Sequence, residues 1–483
     1  MGTTAVLRRR TGAWLLAGTL AGLAPGGAAA DVGAHPSVRA ALAALDAWIA
    51  TRVADGDLPA LSVGVVHDQT LLWARGYGFA DPERRVPATP ATLYRVGSIT
   101  KLFTATAVLQ LRDAGRLRLD DPVAAHLPWF RLRGGEPGAP PITLRALLTH
   151  TAGVPREVPG FLWSAAAPVD ALEMRRRLPE TDAVYPPEQT WKYSNLGYAL
   201  LGELVAAVSG QPWDLHVERH ILQPLGMTAT RALPSADTPG LVVSYGRRGA
   251  GGGRTPRPHV DLGWLSPAGG MASSVEDLAR FVALQHRAGP GGDGSVLKGW
   301  TLREMQRVHW VRDAELGHGL GFAMRRTDGR LRVGHGGALA GFVASLSFEP
   351  ERKLGVIVLA SSVDASPHRI AREAYALLGP AVTTATAVPA AARVADPAWG
   401  PYLGRYRGSP TSSGMEIRVA DGELTLVFPG SDGGGTRIGL VPAGPHAFRM
   451  KSGWAVGELL RFEVDAEGRI TRATAPGSAW TRE

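Results

Sequence analysis

Apolar and β-branched residues dominate two short runs near the start of the chain, over residues 61–66 and 71–77. His67, Asp68 and Gln69 stand between them. The pattern predicts two strands joined by a tight polar turn. The period then changes. Over 99–113, Leu102, Phe103, Ala105, Ala107, Val108, Leu109 and Leu111 cover nearly the whole circumference of a helix. A helix apolar all round belongs in a core. Further helices are predicted over 143–148, 196–209, 213–221 and 275–286. The last opens with Ser273 and has Glu276 three residues on, a capping-box pattern. The stretch VLKGWTLREMQRV, from Val296, adds another helix.

Strand patterns return over 331–334, 342–348 and 354–360, with a polar turn over 349–352. Strands near both ends and a helical middle predict one antiparallel sheet built from both ends of a domain. The fold class is therefore α/β of the α+β kind, an antiparallel sheet flanked by helices plus an all-helical subdomain. Residues 383–396 are small and weakly apolar without a clear period, which predicts a linker. Beyond them, residues 415–428 read as a hairpin turning at Asp421-Gly422, and 459–475 repeat the plan with a longer turn. Residues 397–483 are thus expected to form a small antiparallel β domain.

The N-terminus stands apart. Arg8, Arg9 and Arg10 precede a short apolar run over 13–24, and Ala28-Ala29-Ala30 follow as small residues before Asp31. That is the plan of a secretory signal peptide over 1–30, too short in its apolar run for a membrane span. It predicts export to a periplasmic or extracellular space and a mature domain over 31–382. The chain has no cysteine, so the fold rests on a conventional core. Loss of the three leader arginines, with no acids, takes the net charge from +9 to +6. The remaining charge is dispersed without a basic, aromatic-rich block, so nucleic acid is not an expected partner. No later run reaches the length of a membrane span.

Several common catalytic motifs are missing. No serine stands in Gly-x-Ser-x-Gly, no histidine is followed by glutamate, and no lysine follows a glycine. This removes the nucleophile elbow, the His-Glu-x-x-His zinc site and the P-loop. Gly289, Gly291 and Gly294 fit a Gly-x-Gly-x-x-Gly spacing but follow a helix, which predicts a plain loop. No metal site and no cofactor is expected.

What remains is Ser98-Ile99-Thr100-Lys101 at the start of the apolar helix. The chain has only five lysines, in a background of arginine. Residues at i and i+3 share a helix face, so hydroxyl and amine can meet. A serine hydroxyl is a weak nucleophile until a base takes its proton. Burial can make a lysine neutral enough to be that base; arginine stays charged. Taken alone, the tetrapeptide also fits a helix cap at Ser98. Two more elements accompany it. Tyr193-Ser194-Asn195 precedes a strongly apolar helix, and His335-Gly336-Gly337 sits in a glycine-rich strand that allows close approach of a ligand. Each has a bland reading of its own, as cap and packing or as a turn.

In this order and spacing, Ser-x-x-Lys, Tyr-x-Asn and His-x-Gly resemble the boxes of the serine β-lactamase and penicillin-binding-protein superfamily. The closest resemblance is to its class C-like branch, with DD-carboxypeptidase, D-aminopeptidase and esterase relatives. LLTHTAGVP, ILQPLGM, PAGGMASSVEDLARF and GFVASLSFEPERKLGVIVLASS also look like that branch. The resemblance implies a β-lactamase/transpeptidase-like fold. It makes Ser98 the acylated nucleophile, with Lys101 and Tyr193 in proton transfer and the choice of base between them left open. Asn195, His335, Gly336 and Gly337 would line the substrate, and the backbone N–H groups of Ser98 and Ala338 would hold the oxyanion. The implied substrate is a D-amino-acid peptide or an ester. The alternatives are β-lactam hydrolysis and, in a different class, a non-catalytic penicillin- or wall-binding module. Cell-wall peptidoglycan is the macromolecular partner the resemblance suggests. His335 departs from the lysine that many β-lactamases carry there, and a histidine of ordinary pKa is mostly neutral at pH 7. The C-terminal domain resembles lipocalin-like modules attached to some members.

Overall fold

A computed structural model describes residues 31–483, apart from 57, 159–160, 162–169, 291–293, 388–395, 409–412, 430–434 and 454. The expected leader over 1–30 and the centre of the glycine-rich loop at 289–294 lie outside the described residues. The chain divides into two compact units, one ending at Ala385 and one running from Thr386 to Glu483.

The first unit is built on a nine-stranded antiparallel sheet. Its strands are β1 (Ala60–His67), β2 (Thr70–Asp81), β3 (Val86–Pro87), β4 (Trp310–Val311), β5 (Leu316–His318), β6 (Ala323–Thr327), β7 (Arg330–Leu339), β8 (Phe342–Glu349) and β9 (Leu354–Ala360). Their spatial order is β3-β2-β1-β9-β8-β7-β6-β5-β4. The join of the two chain ends is the β1–β9 pair, with Leu61 opposite Ala360 and His67 opposite Leu354. One sheet from both ends of the domain is thus observed. The sequence pattern missed β4 to β6, which are short and carry exposed arginines such as Arg325 and Arg326 instead of an apolar period.

Both faces of the central strands are covered, so β1 and β9 are buried almost throughout. On one face Leu61, Val63, Val65, Val356 and Val358 pack against Val38, Leu45 and Ile49 of helix α1 (Pro36–Gly56) and against Ile370, Ala374 and Leu378 of a C-terminal helix, Pro367–Thr386. On the other face Val66, Ile357 and Leu359 join the larger core of the helical region. Full burial of each such side chain is worth about 1.5–3 kcal/mol. The C-terminal helix corrects the linker expectation, since residues 383–386 form its last turn. Much of the remaining expected linker lies outside the described residues.

The helical region is centred on α2 (Thr100–Asp113), preceded by a 3₁₀ turn at Gly97–Ile99. As its pattern predicts, α2 is enclosed: Thr100 to Leu109 and Leu111 are all buried. Around it lie α3 (Leu144–Thr149), α4 (Asn195–Ser209) and α5 (Val275–Gln285). The helix expected over 213–221 is α-helical only at Trp213–Val217 and widens to a π turn at Glu218–Leu222. The helix expected after Val296 is confined to Gly299–Met305. The cap of α5 also needs correction. Ser274, not Ser273, accepts the backbone N–H of Asp277 at 3.2 Å, while Ser273 pairs with Tyr94 in a two-stranded ribbon.

The second unit is a closed antiparallel barrel of eight strands between Gly404 and Arg482, each paired with its neighbour in sequence. Closure comes from the first and last strands, with Tyr406 opposite Arg482. Both predicted hairpins are present. Asp421 and Gly422 have φ of 52° and 73°, as the tight hairpin turn requires. Tyr406, Leu424, Leu426, Phe448, Phe462 and Trp480 fill the interior.

Candidate active site

The turn that carries Ser98 is wedged against β7. Gly97 has φ +52°, and a Cβ there would lie 2.6 Å from the Ala338 nitrogen. From the other side, a Cβ on Gly337 would lie 1.9 Å from the Val96 carbonyl oxygen. No side chain fits at either position, which explains two glycines of the site by contact. It also explains why β7 runs five residues beyond the expected strand end at 334: the glycines that read as a break are where the strand slides past the turn.

The strand leaves through a two-residue turn, Ala340 and Gly341, both at positive φ. Leu339 and Phe342 close that turn, and Ala338 faces Val343 in the next register position. Hydrogen-bonded and non-hydrogen-bonded pairs alternate along an antiparallel ladder, so the Ala338 N–H turns away from β8. Strand β6 pairs only with residues 330–334 of β7. The edge around Ala338 is therefore open on the side of Ser98.

Lys101, the second residue of α2, is fully buried. Its Nζ donates to Asn195 Oδ1 at 2.7 Å and to the Ala268 carbonyl at 2.6 Å, and it lies 3.3 Å from Ser98 Oγ. Residues 267–271 run along the first turns of the helix. There Thr104 Oγ1 donates to the Pro267 carbonyl and the Met271 N–H donates to Thr100 Oγ1. This segment gives Lys101 a carbonyl and no counter-charge. Burial pushes the Lys101 amine well below its ordinary pKa; Glu157 opposes the shift and Arg156 adds to it.

Tyr193 donates its hydroxyl to Ser98 Oγ at 2.8 Å. Burial pushes the phenol up to about 12, with the bond to Ser98 pulling the other way. The Lys101 amine lies 4.9 Å from the centre of its ring. A neutral lysine offers two N–H donors and one lone pair. With the donors spent on Asn195 and Ala268, the lone pair is left for the hydroxyl proton of Ser98. Ser98 Oγ is thus in contact with both the Tyr193 hydroxyl and Lys101 Nζ.

Asn195 opens α4 and is buried. Ser194 caps that helix, accepting the Gly197 N–H at 2.8 Å. His335 lies on the β7 wall, its ring 6.3 Å from that of Tyr193. Its Nδ1 donates to the Gly336 carbonyl at 2.6 Å, and burial, with Lys101 nearby, holds it down to about 4. Gly336 turns the opposite way, where a Cβ would lie 2.8 Å from the His368 ring. The structure therefore brings Ser98, Lys101, Tyr193, Asn195, His335, Gly337 and Ala338 together around one point. Gly336 contributes backbone to that wall.

Sequence reasoning did not find Glu157, Ala268, His150, Trp191 or His318. Glu157 accepts the Asn195 Nδ2 at 2.6 Å. His150, at the left-handed end of α3, stacks 4.5 Å from the Tyr193 ring and accepts the Ser194 N–H on Nδ1. Trp191 and His318 pack beyond it. His150 lies in the LLTHTAGVP run and Ala268 in the PAGGMASSVEDLARF run, which were the available signals, although Ala268 acts through its backbone. Among the described residues, no group of three histidine, aspartate or glutamate side chains is placed to hold a metal ion. No helix among them is long and apolar enough to cross a membrane.

A family model described as Beta-lactamase matches residues 45–379. The chain belongs to the Beta-lactamase family. The match spans the whole sheet and helical region, including every residue of the constellation above. Among curated relatives of this Beta-lactamase-family chain is Protein flp of Staphylococcus aureus (strain COL), 27% identical over 321 residues, which are 66% of this chain and 62% of flp. The chain thus spans less than two thirds of that relative. Among solved structures, a penicillin-binding protein homologue from Pyrococcus abyssi is 25% identical with a TM-score of 0.61, covering 91% of this chain and all of that one. A D-stereospecific amidohydrolase from Streptomyces sp. is also 25% identical, with a TM-score of 0.57 over 68% of this chain and 97% of its own.

Proposed function

We propose that the chain is an exported serine hydrolase that works through an acyl-serine at Ser98, on a D-amino-acid peptide or an ester. The observation that carries this reading is the contact of Ser98 Oγ with both the Tyr193 hydroxyl, at 2.8 Å, and Lys101 Nζ, at 3.3 Å. Ser98 Oγ attacks the substrate carbonyl carbon, and its proton passes to Lys101 Nζ. Lys101 is the base in this scheme because burial favours its neutral amine and keeps the Tyr193 phenol protonated. The tetrahedral oxyanion faces the N–H groups of Ser98 and Ala338; removing one such donor commonly costs about 3 kcal/mol of transition-state stabilisation. Collapse breaks the bond to the amine or alcohol. That group leaves with the Tyr193 proton, and the proton that Lys101 took from Ser98 restores the phenol. Water then attacks the acyl carbon, and the same groups run in reverse.

The site and its relatives together support this substrate class. His335 is held neutral on the wall where many β-lactamases carry a lysine, which weakens the hold on a substrate carboxylate and favours the peptide or ester reading over β-lactam hydrolysis. The similarity to a D-stereospecific amidohydrolase supports an amide with a D-residue. Residues 1–30 support export by their n-region, apolar run and small-residue end. A panel of D-Ala-D-Ala peptides, p-nitrophenyl esters and a chromogenic cephalosporin, run on wild type and Ser98→Ala, tests the assignment. Turnover of peptides or esters lost in Ser98→Ala is the expected result. Rapid cephalosporin hydrolysis with neither other class cleaved would reassign the chain as a β-lactamase, and unchanged turnover in Ser98→Ala would remove the assignment.

A further inference from the structure

The loop at residues 155–157 is fastened to the Tyr-x-Asn box at every residue. The Pro155 carbonyl accepts the Ser194 hydroxyl at 2.7 Å. The Arg156 carbonyl accepts the N–H groups of Asn195 and Leu196 at 3.0 and 3.1 Å. The Glu157 side chain accepts the Asn195 amide at 2.6 Å, and Arg156 Nε lies 3.5 Å from the same carboxylate oxygen. Asn195 in turn presents its oxygen to Lys101.

The Asn195 amide has one orientation that suits both neighbours. The lysine amine donates to it, and a carboxylate only accepts, so oxygen must face Lys101 and nitrogen must face Glu157. A rotation of 180° would set N–H against amine N–H and oxygen against carboxylate. The carboxylate thus fixes the amide, and the amide fixes the amine. Its charge also lies one side chain away from the only ammonium the site can form. Other groups facing Lys101 are Ser98, the Tyr193 and Tyr198 rings, the Ala268 carbonyl, and the imidazoles of His150 and His335, which burial keeps neutral. Arg156 is the charged group that opposes Glu157.

We propose that Glu157 is a positioning residue of this site: it locks the Asn195 amide with its oxygen on Lys101, and its negative charge sets the pH at which Lys101 gives up its proton. This rests on Lys101 acting as the base for Ser98. A like-sized neutral residue would keep the lock and remove the charge. Losing an attractive charge at this range favours the neutral amine, so the lysine would free its lone pair at lower pH.

The test is the pH profile of Ser98 labelling by a fluorophosphonate, measured on wild type, Glu157→Gln and Glu157→Asp. Labelling over hours makes the acidic limb measurable even in slow variants. Wild type should label at Ser98 with a rate that falls on acidification. In Glu157→Gln the limb should move to lower pH by about one unit. In Glu157→Asp, which keeps the charge, it should stay within about 0.3 units of wild type. A Glu157→Gln limb that coincides with wild type would overturn the proposal. So would a Glu157→Asp limb displaced from wild type by about one unit, and this arm stands if the Gln variant fails to fold. Absence of Ser98 labelling in wild type would instead strike the serine-hydrolase reading itself, so the two failures are distinct.

Discussion

Tyr193 and Ser98 stand 95 residues apart in sequence and share a 2.8 Å hydrogen bond in which the phenol is the donor. The direction of that bond gives the tyrosine its role. A phenol held protonated cannot take the serine proton, but it can give one to a leaving group. Tyr193→Phe keeps the ring against His150 and Lys101 and removes only the hydroxyl. Loss of a positioned acid of this kind costs about 10²–10⁴ in rate. Stopped-flow acylation with p-nitrophenyl esters should show a smaller defect for the better leaving group, because that group needs the proton least.

Lys101→Arg tests the other partner of Ser98. The guanidinium stays charged at any working pH and has no lone pair to offer. Its bulk also has no room beside Asn195 and the Ala268 carbonyl. Turnover should fall by about a thousandfold or more, as for loss of a nucleophile's base. Near-wild-type turnover in this variant would show that the proton goes elsewhere.

Gly337→Ala should act through geometry alone. The new methyl meets the Val96 carbonyl at 1.9 Å, and the rigid turn at Ser98 lies just behind it. Overpacking commonly costs about 1–3 kcal/mol. The expected result is a lower melting temperature together with at least a tenfold loss of acylation, because relief of the clash moves β7 and the Ala338 N–H away from Ser98. Gly115→Ala is the useful contrast: its Cβ meets nothing within 4 Å, although φ there is +70°, so any effect should be confined to stability.

Acid should destabilise the fold before carboxylates titrate. Burial holds His318 down to about 3 and His150 well below its ordinary value. The unfolded chain takes these protons near pH 6.5, and the folded one does not until far lower pH. Stability is therefore full above about pH 6.5 and falls as pH drops toward 3, by up to about 1.4 kcal/mol per pH unit for each fully buried ring. Urea melts between pH 7.5 and 4.5 should show this slope, and His318→Gln should flatten it.

Much of the site was readable from residue spacing because its members lie at element boundaries. Ser98 and Lys101 flank the start of a helix that is apolar on every side. Tyr193 and Asn195 flank the start of another. What was not readable has physical causes. The run Ser-Ser-Val-Glu-Asp offers two capping boxes one residue apart, and pairing of Ser273 with Tyr94 selects the second. The C-terminal helix runs through Pro380, a residue that commonly ends a helix, yet Ile370, Ala374 and Leu378 seat it on the sheet. Glu157 carries no motif. It is significant only because the fold lays its loop on Asn195, a contact across 38 residues of chain.

A covalent acyl group on Ser98 would be visible by intact-protein mass spectrometry. The enzyme is quenched in acid during turnover of a p-nitrophenyl ester, weighed and digested. The expected result is a mass gain equal to one acyl group, located on the peptide bearing Ser98, and neither adduct nor turnover in Ser98→Ala. Turnover without any adduct in wild type and unchanged in Ser98→Ala, or an adduct on another residue, would contradict it.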